Sequence, residues 1–212
     1  VARAALLLIT AGALAACGSS AASSSVTIAA TSGALAHCGP AGARTLARGP
    51  QVRVYAEHGT VYGCRTGSSR RVRLGTTGSC LRASRVDRVA VAGPLVAAAV
   101  TRCGVDTGQA EVEVVRLPSS RPLYSHLAVG NPGPESFSTV RGLVLTGRGA
   151  VAWIARSNSI LSHRANVEVQ AGNAAQGTRQ LDSGPQVAVG SLRLSGNTVS
   201  WRHGSVRRSA RL

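Results

Sequence analysis

Apolar and polar residues alternate with a period of two along most of this chain. The pattern is plain in QVRVYAE (51–57), TVYGCR (60–65), RRVRLG (70–75), DRVAVAG (87–93) and EVEVVRL (111–117). It returns in RGLVLTG (141–147), GAVAWIA (149–155), NVEVQAG (166–172) and GSLRLSG (190–196). Successive side chains of a strand point to opposite faces, so each run predicts a half-buried strand. Valine dominates the apolar positions, as strands prefer, and glycine-containing turns separate the runs. Apart from an apolar stretch near the start, no segment carries a helical period with caps. The predicted class is all-β.

The strands also recur as groups. GTVYGCRTGSSRRVRL (59–74) and GNTVSWRHGSVRRSARL (196–212) share a glycine, a Thr-Val strand, an arginine, a Gly-Ser turn and an arginine-rich strand. VAVAGPLVAAAV (89–100) and LVLTGRGAVAWIA (143–155) begin in a similar way, and AEVEV (110–114) parallels ANVEV (165–169). Gly59, Gly93, Gly149 and Gly196 are placed at matching hairpin turns. Repeats of roughly 40–50 residues with several strands each are the mark of propeller blades, which bury their faces only by stacking. The expected fold is a small β-propeller-like array of about four blades, with a β-sandwich as the alternative. VYGC (61–64), CGVDTG (103–108), PESF (134–137), AVAWIA (150–155) and LDSG (181–184) resemble secreted, uncharacterised actinobacterial proteins with propeller-like repeats. That resemblance implies a fold and no activity. The chain lacks the GH and WD dipeptides of WD40 blades and the strict Asp boxes of sialidase-type blades.

The start of the chain reads differently. VARAALLLITAGALAAC has one charge, Arg3, then an apolar core and small residues before Cys17. Such a basic start and short apolar core make an export signal, too short to span a bilayer as a helix. Leu14-Ala15-Ala16-Cys17 resembles a bacterial lipobox. The resemblance implies cleavage before Cys17, a lipid on its sulfur and anchorage on the extracytoplasmic face of the cell membrane. The expected organisation is a signal peptide over 1–16, a lipid-anchored flexible tether over 17–30 and a β-propeller-like domain over 31–212. The GSSAASSS stretch fits a flexible tether.

Composition sharpens this picture. All 24 basic residues are arginine against eight acidic ones, giving a formal net charge of +16. Such a surface attracts polyanions, among them acidic polymers of a cell envelope. Aromatic residues make up only 3 % of the chain, too few for base stacking, which argues against nucleic acid. Arg70, Arg71, Arg73, Arg207 and Arg208 lie on strands of the first and last repeats, and would form one basic stripe if those repeats lay side by side. Cys38, Cys64, Cys80 and Cys103 are an even set, read as two disulfides in an exported chain. Sequential pairing, Cys38–Cys64 and Cys80–Cys103, closes short loops between neighbouring strands and is the expected connectivity. No CxxC pair supports the alternative of a four-cysteine zinc site.

Catalytic chemistry has little to work with. GxSxG and SxxK are absent. A Ser/His/Asp triad could still assemble from distant residues, because geometry rather than order defines it. His37, His58, His126, His163 and His203 are scattered, and neither HxH nor HExxH occurs. Glu111, Glu113 and Glu168 read as solvent-face strand residues paired with arginines, Glu168 matching Glu113 in the next repeat. Asp106 and Asp182, in DTG and DSG, read as turn formers. Trp153 and Trp201 occupy matching places in two repeats and read as packing residues, with a carbohydrate-stacking platform as the other reading. The expectation is a non-catalytic binding or scaffold domain without cofactor or metal. Its partners are the membrane through Cys17 and a cell-envelope protein or acidic polymer. An adhesion module for acidic polymers and a hydrolase with an axial site are the alternatives.

Overall fold

The computed structural model describes residues 38–80, 84–105, 107–130, 132, 135–159 and 165–212. Cys17 with the signal and tether, His37, Asp106 and His163 lie outside the described residues. The chain is all-β: the described residues hold fifteen strands and no helix.

The strands fall into four groups, each a small antiparallel meander, named in chain order the first to fourth sheet. The first is β1 (Arg44–Arg48), β2 (Val52–Glu57), β3 (Thr60–Arg65) and β4 (Arg71–Thr76). The second is β5 (Arg85–Ala92), β6 (Leu95–Cys103), β7 (Gly108–Arg116) and β8 (Pro122–Leu127). The third is β9 (Ser136–Leu145), β10 (Val151–Ser159), β11 (Ala165–Asn173) and β12 (Gly177–Ser183). The fourth is β13 (Arg193–Ser195), β14 (Thr198–His203) and β15 (Val206–Arg211). Within each group every strand pairs antiparallel with the next one in the chain. Single parallel pairs, Thr76 with Arg85 and Gly108 with Phe137, join the first three groups into one twelve-stranded sheet. The fourth group is a separate three-stranded sheet. The large sheet is open, because β1 and β12 end its ladder without pairing to each other.

The groups stack face to face, with a core cluster between each consecutive pair. Val52, Val54, Val61 and Val72 of the first group meet Val96 and Val115 of the second. Leu95, Ala97, Val112 and Val114 of the second meet Val140, Val151 and Trp153 of the third. Ala152, Ile154, Val167 and Val169 of the third meet Val199 and Trp201 of the fourth. Leading strands of neighbouring groups lie together: β1 with β5, β5 with β9, and β9 with β13. This stacking explains the composition of the middle strands. LVAAAV of β6 and VAWIA of β10 are apolar at every position because both of their faces are covered.

The repeats sit where the alternation places them, with one change of phase. Gly93, Gly149 and Gly196 open the first hairpin of groups two, three and four, whereas Gly59 opens the second hairpin of group one. The sequence match of 59–74 with 196–212 therefore aligns β3–β4 with β14–β15, one strand out of register. All four glycines have positive φ, which the hairpin turns require and glycine adopts freely.

Both expected disulfides are present, Cys38–Cys64 and Cys80–Cys103. The first fastens residues 38–43 across the outer face of the first sheet. There Gly39 lies against the Tyr55 ring so closely that a Cβ would stand 2.6 Å from a ring carbon. Arg53 ties the same strap down, donating to the carbonyls of Cys38 at 3.1 Å and Ala43 at 2.6 Å. Replacing Cys38 and Cys64 together with serine is expected to cost about 2–4 kcal/mol. Urea unfolding of the double variant measures it, and an unchanged midpoint would show that the strap holds without its crosslink.

Candidate functional site

The fourth sheet has two unlike faces. By period two, Leu194, Val199, Trp201 and Ala210 share one face, and Val199, Trp201 and Ala210 join the core against the third sheet. The opposite face carries Arg193, Ser195, Thr198, Ser200, Arg202, Arg207, Ser209 and Arg211. Cross-strand register aligns Arg193 and Ser209 with Ser200, Arg202 with Arg207, and Thr198 with Arg211. All are exposed except half-buried Ser200. Ser191, Arg193, Arg202, Ser205 and Arg207, with the 3 % exposed Trp201, line a shallow hollow of about 380 Å³ on this face.

Its electrostatics are one-sided. No acidic residue follows Asp182 in the chain, and among the described residues none of the four arginines is ion-paired. Arg202 and Arg207 stand directly opposite one another, an arrangement that costs stability when two like charges face each other. An anion between them removes that repulsion. Arg207 is steadied by a 3.3 Å hydrogen bond to the Ser200 hydroxyl, and Arg193 donates to the carbonyls of Gly190 and Leu192 at 3.1 and 2.7 Å. Planar guanidinium groups bind carboxylate, sulfate or phosphate oxygens two at a time, and neighbouring hydroxyls add further donors.

The arginines expected to form a stripe are distributed otherwise. Arg71 pairs with Glu57 at 2.6 Å and lies 4.4 Å from the Tyr62 ring centre, on the outer face of the first sheet. Arg73 shares a polar hollow with Arg102 and Glu113, and Arg70 sits in the turn before β4. Arg207 is on the open face of the fourth sheet. Arg208, its neighbour in sequence, points the other way and binds Asp182 at 2.7 Å. The first and fourth sheets share no core cluster, so the structure does not bring these five residues together. Arg193, Arg202 and Arg211 are the members that sequence reasoning missed. Their signal is face parity across two hairpins, at 196–197 and 204–205.

Asp182 is a buried acceptor inside β12 rather than a turn former. It receives Trp201 Nε1 at 2.7 Å, His203 Nδ1 at 3.0 Å, Arg208 at 2.7 Å and the Ser183 amide at 2.9 Å. Burial pushes its carboxyl up, but the donors Trp201 and His203, the His203 charge and the Ser183 amide together hold it below its ordinary 3.8. His203 is thereby drawn out of the role of an exposed turn residue. Its ring edge lies beside Gly184, and among the described residues no hydroxyl bonds its second nitrogen.

The acidic strand residues divide. Glu111 and Glu113 do pair with an arginine, Arg102, Glu113 at 2.7 Å. Glu168 departs from the expectation: it is 5 % exposed and, among the described residues, paired with no arginine. It accepts from the Gly130 amide at 2.9 Å, Gln170 at 2.5 Å and Asn166 at 3.1 Å, holding the segment after β8 to β11. Both tryptophans are packing residues. Trp153 is fully buried with Nε1 on the Ala128 carbonyl at 2.7 Å, and Trp201 is 3 % exposed, so neither offers a ring face to a sugar. Among the described residues no three His, Cys, Asp or Glu side chains are grouped to hold a metal ion. No known family model matches this chain, and no curated protein matches it either.

Proposed function

We propose that this chain is an extracytoplasmic, lipid-anchored, non-catalytic binding domain that holds an acidic polymer on the open face of its fourth sheet. The observation that carries the proposal is the set of four arginines, none ion-paired among the described residues, and their hydroxyl neighbours on one exposed face, with no acid between Asp182 and Leu212. The four stacked groups are taken as a β-propeller-like array of about four blades, which leaves the outer face of a terminal blade free for a ligand. Two disulfides fit an oxidising compartment. Anchorage at Cys17 is tested by the intact mass of membrane-extracted protein with and without Cys17→Ala. A diacylglycerol-sized increase that the variant lacks is expected, and an unmodified mass would remove the anchor.

Poly-L-glutamate and dextran sulfate are the probes for the face. The pair of changes Arg202→Gln and Arg207→Gln is expected to weaken both by about tenfold or more, the factor for 1.4 kcal/mol. The triple change Arg70→Gln, Arg71→Gln, Arg73→Gln removes more charge and is expected to change affinity far less. Binding should fall steeply as salt rises through the range where the Debye length shrinks to about 8 Å. Equal losses in both variants would mean that net charge alone attracts the polymer, and the face would not be a site.

A further inference from the structure

A second cleft, which shares no lining residue with the hollow of the basic face, has another chemistry. It opens between the second sheet and the hairpin turns of the third, with a volume of about 380 Å³. That lies within the range of small-molecule sites. Buried Leu95, Val114 and Tyr124 form the base of the cleft, and its accessible apolar surface comes from Leu123 of β8, 47 % exposed, with exposed Ala174 and Ala175 and half-buried Leu212. An exposed leucine next to a lined cleft is apolar surface without a cover. Arg116, at the end of β7, and Arg148, in the β9–β10 turn, line the same cleft and are exposed. No Asp or Glu side chain lines it, Leu212 adds an apolar side chain to the lining, and among the described residues neither guanidinium has an ion-pair or hydrogen-bond partner.

The wall is also held in place. The Tyr124 hydroxyl bonds the Thr178 hydroxyl at 2.6 Å and lies against Gly172, where any Cβ would collide with it. The tyrosine ring is thus fixed across the gap between β8 and the β11–β12 hairpin. A greasy floor of set shape with two free guanidinium groups beside it matches a ligand with an alkyl chain and a single planar anion. Apolar area removed from water drives the chain in, while a carboxylate takes the arginines in forked hydrogen bonds.

We propose that this cleft binds an alkyl carboxylate, with the chain over Leu95, Val114, Leu123 and Tyr124 and the carboxylate between Arg116 and Arg148. Dodecanoate, kept below its micelle concentration and titrated calorimetrically into the full chain, is the test. Saturable binding to one site is expected, with no heat from acetate, which lacks the chain, or from dodecyltrimethylammonium, which reverses the charge. The pair Arg116→Gln and Arg148→Gln is expected to weaken dodecanoate by about tenfold or more. Leu123→Ser, a change on the surface, is expected to weaken it too. The pair Arg202→Gln and Arg207→Gln is expected to leave it unchanged, which separates this cleft from the polymer face. The proposal is overturned by non-saturable binding, by equal binding of the cationic amphiphile, or by equal losses in the two arginine pairs.

Discussion

Asp182→Ala is expected to lower the unfolding free energy by about 3 kcal/mol, the upper end for removing a charged acceptor and leaving a buried donor unpaired. The carboxylate sits on β12 and its side-chain donors sit on β14 and β15, so it ties the third sheet to the fourth. Alanine leaves the buried Trp201 indole N–H without an acceptor and places Arg208 and His203 side by side with no negative charge between them. Asp182→Asn keeps an acceptor oxygen but loses the charge, and should fall between alanine and the parent. Urea unfolding followed by tryptophan fluorescence measures all three, and a loss under about 1 kcal/mol for alanine would show that the hub contributes no more than an ordinary hydrogen bond. The carboxyl is held below 3.8 in the folded chain. A depressed folded value means that its stabilisation is fully present above the unfolded value and disappears as the pH falls through the folded one. The gap between Asp182→Asn and the parent should therefore close as the pH falls below about 4.

Trp153→Ala carries a comparable expected cost, about 3–5 kcal/mol for emptying a tryptophan site in a packed core. Trp153 is fully buried between the second and third sheets, its ring centre 6.4 Å from that of Tyr124. Trp153→Phe retains most of the packing and strips only the hydrogen bond to Ala128. It should lose roughly 1–3 kcal/mol for the carbonyl left unpaired. A thermal melt of the pair separates volume from polarity. Similar losses for both variants would mean that the bond to Ala128, not the volume of the ring, holds this interface.

The alternation of apolar residues located β2, β3, β4, β7, β9, β10 and β11, because each buries at least one face, and also half-buried β5 and the short β13. The strands that escaped notice are β1, β8 and β12. RTLAR, PLYSHL and GTRQLDS bury little, so nothing demands an apolar residue at every second position. Missing β1 is also what shifted the first repeat by one hairpin. At the candidate face, Arg207 was visible as part of an arginine-rich strand, but its partners required knowing which residues of three strands share a side. Arg208 shows the limit of reading charge runs: one position further along, the side chain faces the core and serves Asp182. Glu168 aligned correctly with Glu113, yet β11 is covered on both faces whereas Glu113 has Arg102 beside it. Equivalent positions in a stack do not have equivalent surroundings.

Among the described residues every antiparallel strand pair joins strands consecutive in the chain, and the remaining links are single-residue bridges, parallel at Thr76–Arg85 and Gly108–Phe137 and antiparallel at Val187–His203. The loops to be closed are therefore short, which keeps the entropy of each pairing step small and favours fast formation. A chain delivered from its N-terminal end could complete the first meander before the second has emerged. Each finished meander would then present an apolar face as the template on which the next condenses. The order of assembly is thus written into the topology, and the basic face, carried by the last sheet, would be completed last.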